Sequence, residues 1–85
     1  MAMEKTVTLL AFAGARDVLG TPELAFPLEA QCTAGELLAE VCRRYPALAP
    51  YRGALRVAVN GTYAKPDEPV RFGDEVALIP PVAGG

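Results

Sequence analysis

Residues 32–46 read C-T-A-G-E-L-L-A-E-V-C-R-R-Y-P, and this stretch predicts one amphipathic helix that begins after Thr33 and stops before Pro46. Thr33 and Glu36 have the spacing of a capping box, in which each side chain accepts a hydrogen bond from the other residue's backbone amide. Pro46 disfavours helical geometry at the residue before it. The face expected to pack on a core recurs at helical spacing and consists of Leu37, Leu38, Val41, Cys42 and Tyr45.

Strand patterns flank this helix on both sides. We predict strands at 6–12, 23–28, 54–60, 62–65 and 75–80. The Asn60-Gly61 dipeptide is a strong hairpin signal. A helical turn at 13–19, closed by Gly20, links the first two strands as an antiparallel pair, and residues 47–53 are expected to be an irregular connector. This order indicates an α+β, two-layer domain of the β-grasp (ubiquitin-like) type, a mixed sheet of about five strands covered on one face by one main helix.

Length and composition restrict the classes of function. The chain has 85 residues, 52% hydrophobic and 21% charged, with a formal net charge of -2 at pH 7, which is typical of one small globular domain. Its eight Lys and Arg residues are scattered, so we expect no nucleic-acid-binding surface. We find no signal segment and no apolar run long enough to cross a bilayer, and we therefore expect a cytoplasmic protein without membrane contact.

Side chains that carry out chemistry are few. The sequence contains no His, Ser or Trp, which excludes Ser-His and Cys-His catalysis and His-ligated metals within this chain. Cys32 and Cys42 lack the spacing of a metal site or a redox motif. We expect Cys42 to be a core residue, and we expect the helix N-terminus to bias Cys32 towards the thiolate, although neither is predicted to be a nucleophile. Any acid–base catalysis must come from a partner.

The C-terminal residues form the first candidate site. We divide the chain into a β-grasp domain at 1–80 and a flexible Gly-Gly tail at 81–85. Proline fixes φ and glycine lacks Cβ, so such a tail can thread a narrow channel in another protein and reach about 17 Å into it. Its carboxylate becomes an electrophile only after an ATP-using partner converts it into a mixed anhydride. The predicted threading residues are Pro81, Val82, Ala83 and Gly84, and Gly85 bears the carboxylate.

An apolar patch on the sheet forms the second candidate site. If alternate strand residues face the helix, the opposite face is expected to be polar, yet apolar residues occupy it as well. Parallel pairing of the first and last strands brings these residues together, and an exposed contiguous apolar patch indicates an interface. The patch consists of Leu10, Phe12, Ala58, Ala77 and Ile79, with Tyr63 as an extension.

Several segments carry a family resemblance. They are 12–13 (FA), 15–20 (ARDVLG), 33–38 (TAGELL), 59–61 (VNG), 73–77 (GDEVA) and 80–85 (PPVAGG). Together they resemble the small subunit of molybdopterin synthase, the MoaD-type, ubiquitin-like sulfur carrier. The resemblance implies that an E1-like adenylyltransferase uses ATP to activate Gly85, which then becomes a thiocarboxylate. It implies no bound cofactor or metal in the carrier itself.

The resemblance also implies partners. The tail would enter the synthase large subunit, in a heterotetramer of two small and two large subunits, and donate sulfur to cyclic pyranopterin monophosphate to form the molybdopterin dithiolene. Phe12, Tyr63 and Ile79 match the positions of the partner contact. The same activation chemistry serves other functions, which stay open as alternatives. One is sulfur donation in another pathway, for thiamine, cysteine or tRNA thiolation, and the other is ubiquitin-like modification of a target lysine. A plain binding module that uses only the sheet face is a further alternative.

Overall fold

The computed structural model describes residues 5–80, which form a sheet layer and a helix layer. In chain order the elements are β1 (Thr6–Ala11), α1 (Ala13–Leu19), β2 (Glu23–Pro27), β3 (Cys32–Thr33), α2 (Ala34–Arg44), a 3₁₀-helix (Pro46–Tyr51), β4 (Arg56–Val59), β5 (Thr62–Tyr63), β6 (Pro69–Val70) and β7 (Glu75–Ile79). None of the helices within residues 5–80 is long and apolar enough to span a bilayer.

The main sheet has five strands in the order β2-β1-β7-β4-β5. Strand β7 pairs parallel with β1 and antiparallel with β4, and the other pairs are antiparallel. Strands β3 and β6 form a separate two-stranded antiparallel ladder. The mixed sheet with α2 on one face confirms the predicted β-grasp fold.

The core lies between α2 and one face of this sheet. Leu9, Val76 and Leu78 are fully buried, and Leu37 and Val41 of α2 pack into the same cluster. Leu38 and Tyr45 are partly buried at its margin. Burial is therefore alternate along β1 and β7 and recurs every three to four residues along α2, as the sequence pattern predicts.

The predicted boundaries of α2 are confirmed, and local chemistry explains them. The Thr33 hydroxyl accepts a hydrogen bond from the Glu36 amide at 3.1 Å, and the Glu36 carboxylate accepts one from the Thr33 amide at 2.9 Å. At the other end Tyr45 leaves helical geometry, with φ -124° and ψ 77°, because the residue before a proline disfavours that geometry.

Other boundaries differ from the prediction. Residues 46–51 form a 3₁₀-helix rather than part of an irregular connector, because proline suits a first helical turn and Leu48 is drawn into the core at 1% exposure. Each strand of the five-stranded sheet is shorter than the range predicted for it from the sequence. Strands β3 and β6 were not predicted, because two residues are too few to show an alternation of apolar and polar side chains. The hairpin prediction is confirmed, since Asn60 (φ 51°) and Gly61 (φ 85°) both have positive φ.

Candidate functional site

Strand β7 fixes the point at which the chain leaves the sheet. It is the central strand, with hydrogen-bonded neighbours on both sides, and the partly buried Pro80 follows its last residue, Ile79. A strand held at both edges has little freedom to shift, so the core of the domain sets the position of Pro80. The predicted tail at 81–85, from Pro81 to Gly85, lies outside the described residues.

One face of the main sheet is left uncovered by α2, and we call it the open face. The register places Leu10 opposite Ala77, Ala77 opposite Ala58 and Ala58 opposite Tyr63, so these side chains form one row across four strands. The side chains of two residues that lie directly opposite each other on neighbouring strands point to the same face of the sheet. In the next row Ile79 lies opposite Arg56. The predicted patch residues therefore share one surface, and their contact with a partner stays a prediction.

The shape of the open face follows from residue size. Two alanines, Ala77 and Ala58, lie in the middle of the row, between the larger side chains of Leu10 and Tyr63. Tyr63 is 62% exposed, whereas Ala58 is buried at 7% exposure even though it is on this face. The row is thus a shallow depression with an exposed aromatic ring at one end.

Phe12 extends the open face at the end where the chain exits. Its extended backbone (φ -124°, ψ 151°) continues the alternation of β1, so its side chain follows Leu10 on the open face and remains 49% exposed. Ala11 pairs with Leu78, which brings Phe12 beside Ile79. Ala13 then takes a positive φ of 49° and turns the chain away. The exposed aromatic ring consequently lies at the same end of the sheet as Pro80.

An open groove of about 520 Å³ connects the chain exit with the open face. Its lining includes Ile79, Pro80, Arg56 and Tyr63. The Arg56 guanidinium lies over the Tyr63 ring, 6.0 Å from its centroid. Our sequence reasoning placed no function on Arg56, although its position two residues before Ala58 gives it the parity of the patch.

Within the described residues, no neighbouring group lowers the pKa of either thiol below its usual range. Burial, followed by the negative charges of Glu36 and Glu40, raises the pKa of Cys32, so the expected bias towards the thiolate is wrong. Burial also raises the pKa of Cys42, a member of the core cluster as predicted. Within residues 5–80 there is no group of three His, Cys, Asp or Glu side chains placed to hold a metal ion.

The chain is similar to known proteins over almost its whole length. Residues 9–85 match the model of the ThiS family. The sulfur carrier subunit of molybdopterin synthase from Escherichia coli is 38% identical over 93% of this chain and 99% of its own, and that of Aedes aegypti is 38% identical over 93% and 88%. The Arabidopsis thaliana subunit is 33% identical over 93% and 82%.

Solved structures have the same fold. SAMP1 from Haloferax volcanii superposes with a TM-score of 0.79 at 28% identity, covering 94% of this chain and 99% of its own. The molybdopterin-converting factor complex of Helicobacter pylori gives 0.64 at 22% identity, with 94% and 99% covered. The chain belongs to the ThiS family of ubiquitin-like β-grasp proteins, and its sequence is similar to those of molybdopterin synthase sulfur carrier subunits.

Proposed function

We propose that this protein is the sulfur carrier subunit of a molybdopterin synthase and that it is not a catalyst by itself. The main support is the similarity to sulfur carrier subunits of a bacterium, an insect and a plant, at 33–38% identity over 93% of the chain. The family match extends through residue 85, and thus includes the Gly84-Gly85 pair on which the chemistry depends.

The carrier's reacting group is the carboxyl group of Gly85. In the active site of an E1-like adenylyltransferase, its oxygen attacks the α-phosphorus of ATP, pyrophosphate leaves and a mixed anhydride forms. A sulfur nucleophile then attacks the carbonyl carbon and AMP leaves, so that a thiocarboxylate results once the sulfur is freed from its donor. ATP is bound and consumed by the partner, the carrier holds no cofactor, and we place the reaction in the cytoplasm, where ATP is available.

The proposed receiver of the tail is the large subunit of the synthase, in an assembly of two small and two large subunits. The open face supports this part of the proposal, because its apolar residues continue through Ile79 to Pro80. Docking there would hold Pro81, Val82, Ala83 and Gly84 in a channel and present the sulfur on Gly85. The acceptor would be cyclic pyranopterin monophosphate, which two deliveries convert to the molybdopterin dithiolene.

Intact-mass measurement tests the chemistry. Incubation with the activating enzyme, ATP and a sulfide source should raise the mass of the chain that ends at Gly85 by about 16 Da, the difference between sulfur and oxygen. Adding one alanine after Gly85 should abolish both the mass change and sulfur delivery, whereas one alanine added at the N-terminus should leave both intact. Sulfur delivery by the C-terminally extended chain would refute the proposal.

A modifier role is the second candidate, and one observation favours it. A second structure of the Haloferax volcanii protein, small archaeal modifier protein 1, superposes with a TM-score of 0.78 at 28% identity. In that case Gly85 would form an isopeptide bond with a lysine of a target protein. Mass spectrometry of cells that express a tagged chain separates the two functions, because lysine adducts appear only with the modifier.

A further inference from the structure

Arg56 differs in charge from everything around it on the open face. Three charged residues occur among the strand positions of this face, and two of them, Glu23 and Glu75, are acidic. Arg56 is the one basic residue of these strand positions, and its neighbours are apolar: Ile79 lies directly opposite, and the Tyr63 ring lies beneath the guanidinium. It is thus a single positive charge within the proposed docking surface.

Within residues 5–80 this charge has no acidic partner. The ion pairs in the described part of the chain join Arg43 and Arg44 to Glu40, and none includes Arg56. Glu75 is four residues from the position opposite Arg56, or about 13 Å along the strand. Glu23 lies three strands away, or about 14 Å across the sheet. No carboxylate of residues 5–80 therefore neutralises the exposed guanidinium, which is open to water.

Docking would remove that water. Ile79 and Tyr63 line the same groove as Arg56, so a partner that covers these residues also covers the guanidinium. A buried charge without a counter-charge is strongly unfavourable, whereas a carboxylate can accept two parallel hydrogen bonds from the guanidinium fork. The Tyr63 ring already restricts the orientation of the guanidinium through a cation–π contact.

We infer that the protein docked on the open face supplies an Asp or Glu carboxylate opposite Arg56, within an otherwise apolar contact segment. This inference rests on the proposed function, since it takes the synthase large subunit as the partner. The pair would set the orientation of the carrier on its partner, because apolar contacts are not directional and a bidentate ion pair is. Pro80 borders the same groove, so this orientation also aims the tail.

Calorimetric titration with the purified large subunit of molybdopterin synthase from the same organism tests the inference. Arg56→Glu should weaken binding by at least about 30-fold, and Arg56→Met by about 10-fold, because each leaves the partner's carboxylate buried without its counter-charge. Arg71→Glu is the matched control. It makes the same change of net charge at an exposed turn beside the start of β7, at the far end of the sheet from Pro80, and should change the affinity less than about twofold.

The partner's carboxylate can then be located. When the Asp or Glu of the large subunit that faces residue 56 is replaced by Arg, the affinity for Arg56→Glu should be mostly restored. The same replacement should not increase the affinity for Arg71→Glu. If Arg56→Glu binds within twofold of wild type while Phe12→Ala binds weakly, the inferred carboxylate is wrong and docking on the open face stands. If neither variant matters but the mass of the chain still rises with sulfide, the open face is not the docking surface. If the wild-type chain does not bind the large subunit, the proposed function fails and the inference fails with it.

Discussion

Replacing Phe12 by alanine isolates the contribution of the open face to partner binding. The ring is 49% exposed in the free protein, so about 100 Å² of the roughly 200 Å² that a phenylalanine can bury remains for a partner. At about 25 cal/mol per Å² this area corresponds to about 2.5 kcal/mol. Because 1.4 kcal/mol is a tenfold change, the Kd for the large subunit should rise by up to about 60-fold.

Folding stability must be measured alongside binding. The covered half of the Phe12 ring contributes to the folded state, so Phe12→Ala should lower the free energy of unfolding by about 1–2 kcal/mol. Urea denaturation gives this quantity, and titration is then performed at a temperature at which both proteins are folded. Phe72→Ala is the matched control, because Phe72 is a partly buried phenylalanine in the turn before β7, at the far end of the sheet from Pro80.

Two results would contradict this reasoning. A Kd within about twofold of wild type would mean that a partner covers at most about a sixth of the available Phe12 area, because about 17 Å² already gives a twofold change. A loss of stability above about 3 kcal/mol would be typical of a core aromatic and would mean that the ring is packed in the fold. Equal weakening by Phe72→Ala would mean that the lost affinity reflects a loss of stability and not a contact at the open face.

Three further predictions concern the fold and the thiols. Asn60→Ala should lower the free energy of unfolding, measured by urea denaturation, by about 2 kcal/mol. The reasons are that the Asn60 side chain donates a hydrogen bond to Asp74 and accepts one from the Glu75 amide, and that alanine disfavours positive φ. Asn60→Gly tolerates that φ and should lower the free energy of unfolding by about half as much. Ala13→Gly should raise the free energy of unfolding by about 0.5 kcal/mol, since Ala13 has a φ of 49°. The alkylation rate of Cys32 can be measured by mass spectrometry between pH 7 and 10. It should reach half its maximum at a higher pH than for a free cysteine, because burial and Glu36 raise the pKa of Cys32. Half-maximal alkylation at a lower pH than for a free cysteine would contradict this direction of the pKa shift.

The fold could be predicted from the sequence where local chemistry and packing demand the same conformation. Thr33 and Glu36 cap the helix in any context, and the apolar spacing of α2 requires a flat apolar surface such as the sheet face provides. Asn60-Gly61 predicts a hairpin from two adjacent residues, because both tolerate positive φ. Each of these signals lies within a few residues, and the structure confirms all of them.

Features that depend on contacts between distant segments could not be predicted. The β3–β6 ladder joins Cys32 to Val70, and a two-residue strand has no period. The 3₁₀-helix forms because Leu48 finds space in the core. The pKa of Cys32 depends on how deeply the thiol is covered, which outweighs the influence of the nearby helix N-terminus. In the candidate site, parity placed the apolar residues on one face, but the groove between Pro80 and Tyr63 required the strand order.

The alternation within β7 explains how a domain this small can combine a stable core with the proposed docking surface. Val76 and Leu78 are fully buried against α2, whereas Ala77 and Ile79 alternate with them on the open face. Substitutions at Ala77 or Ile79 can therefore change the open face without opening a cavity in the core. Because the same strand leads directly to Pro80, the core residues that hold β7 in register also hold the tail exit in a fixed position relative to the docking surface. A shift of β7 by one residue would exchange the two faces, so the fold and the proposed delivery of the tail depend on the same register.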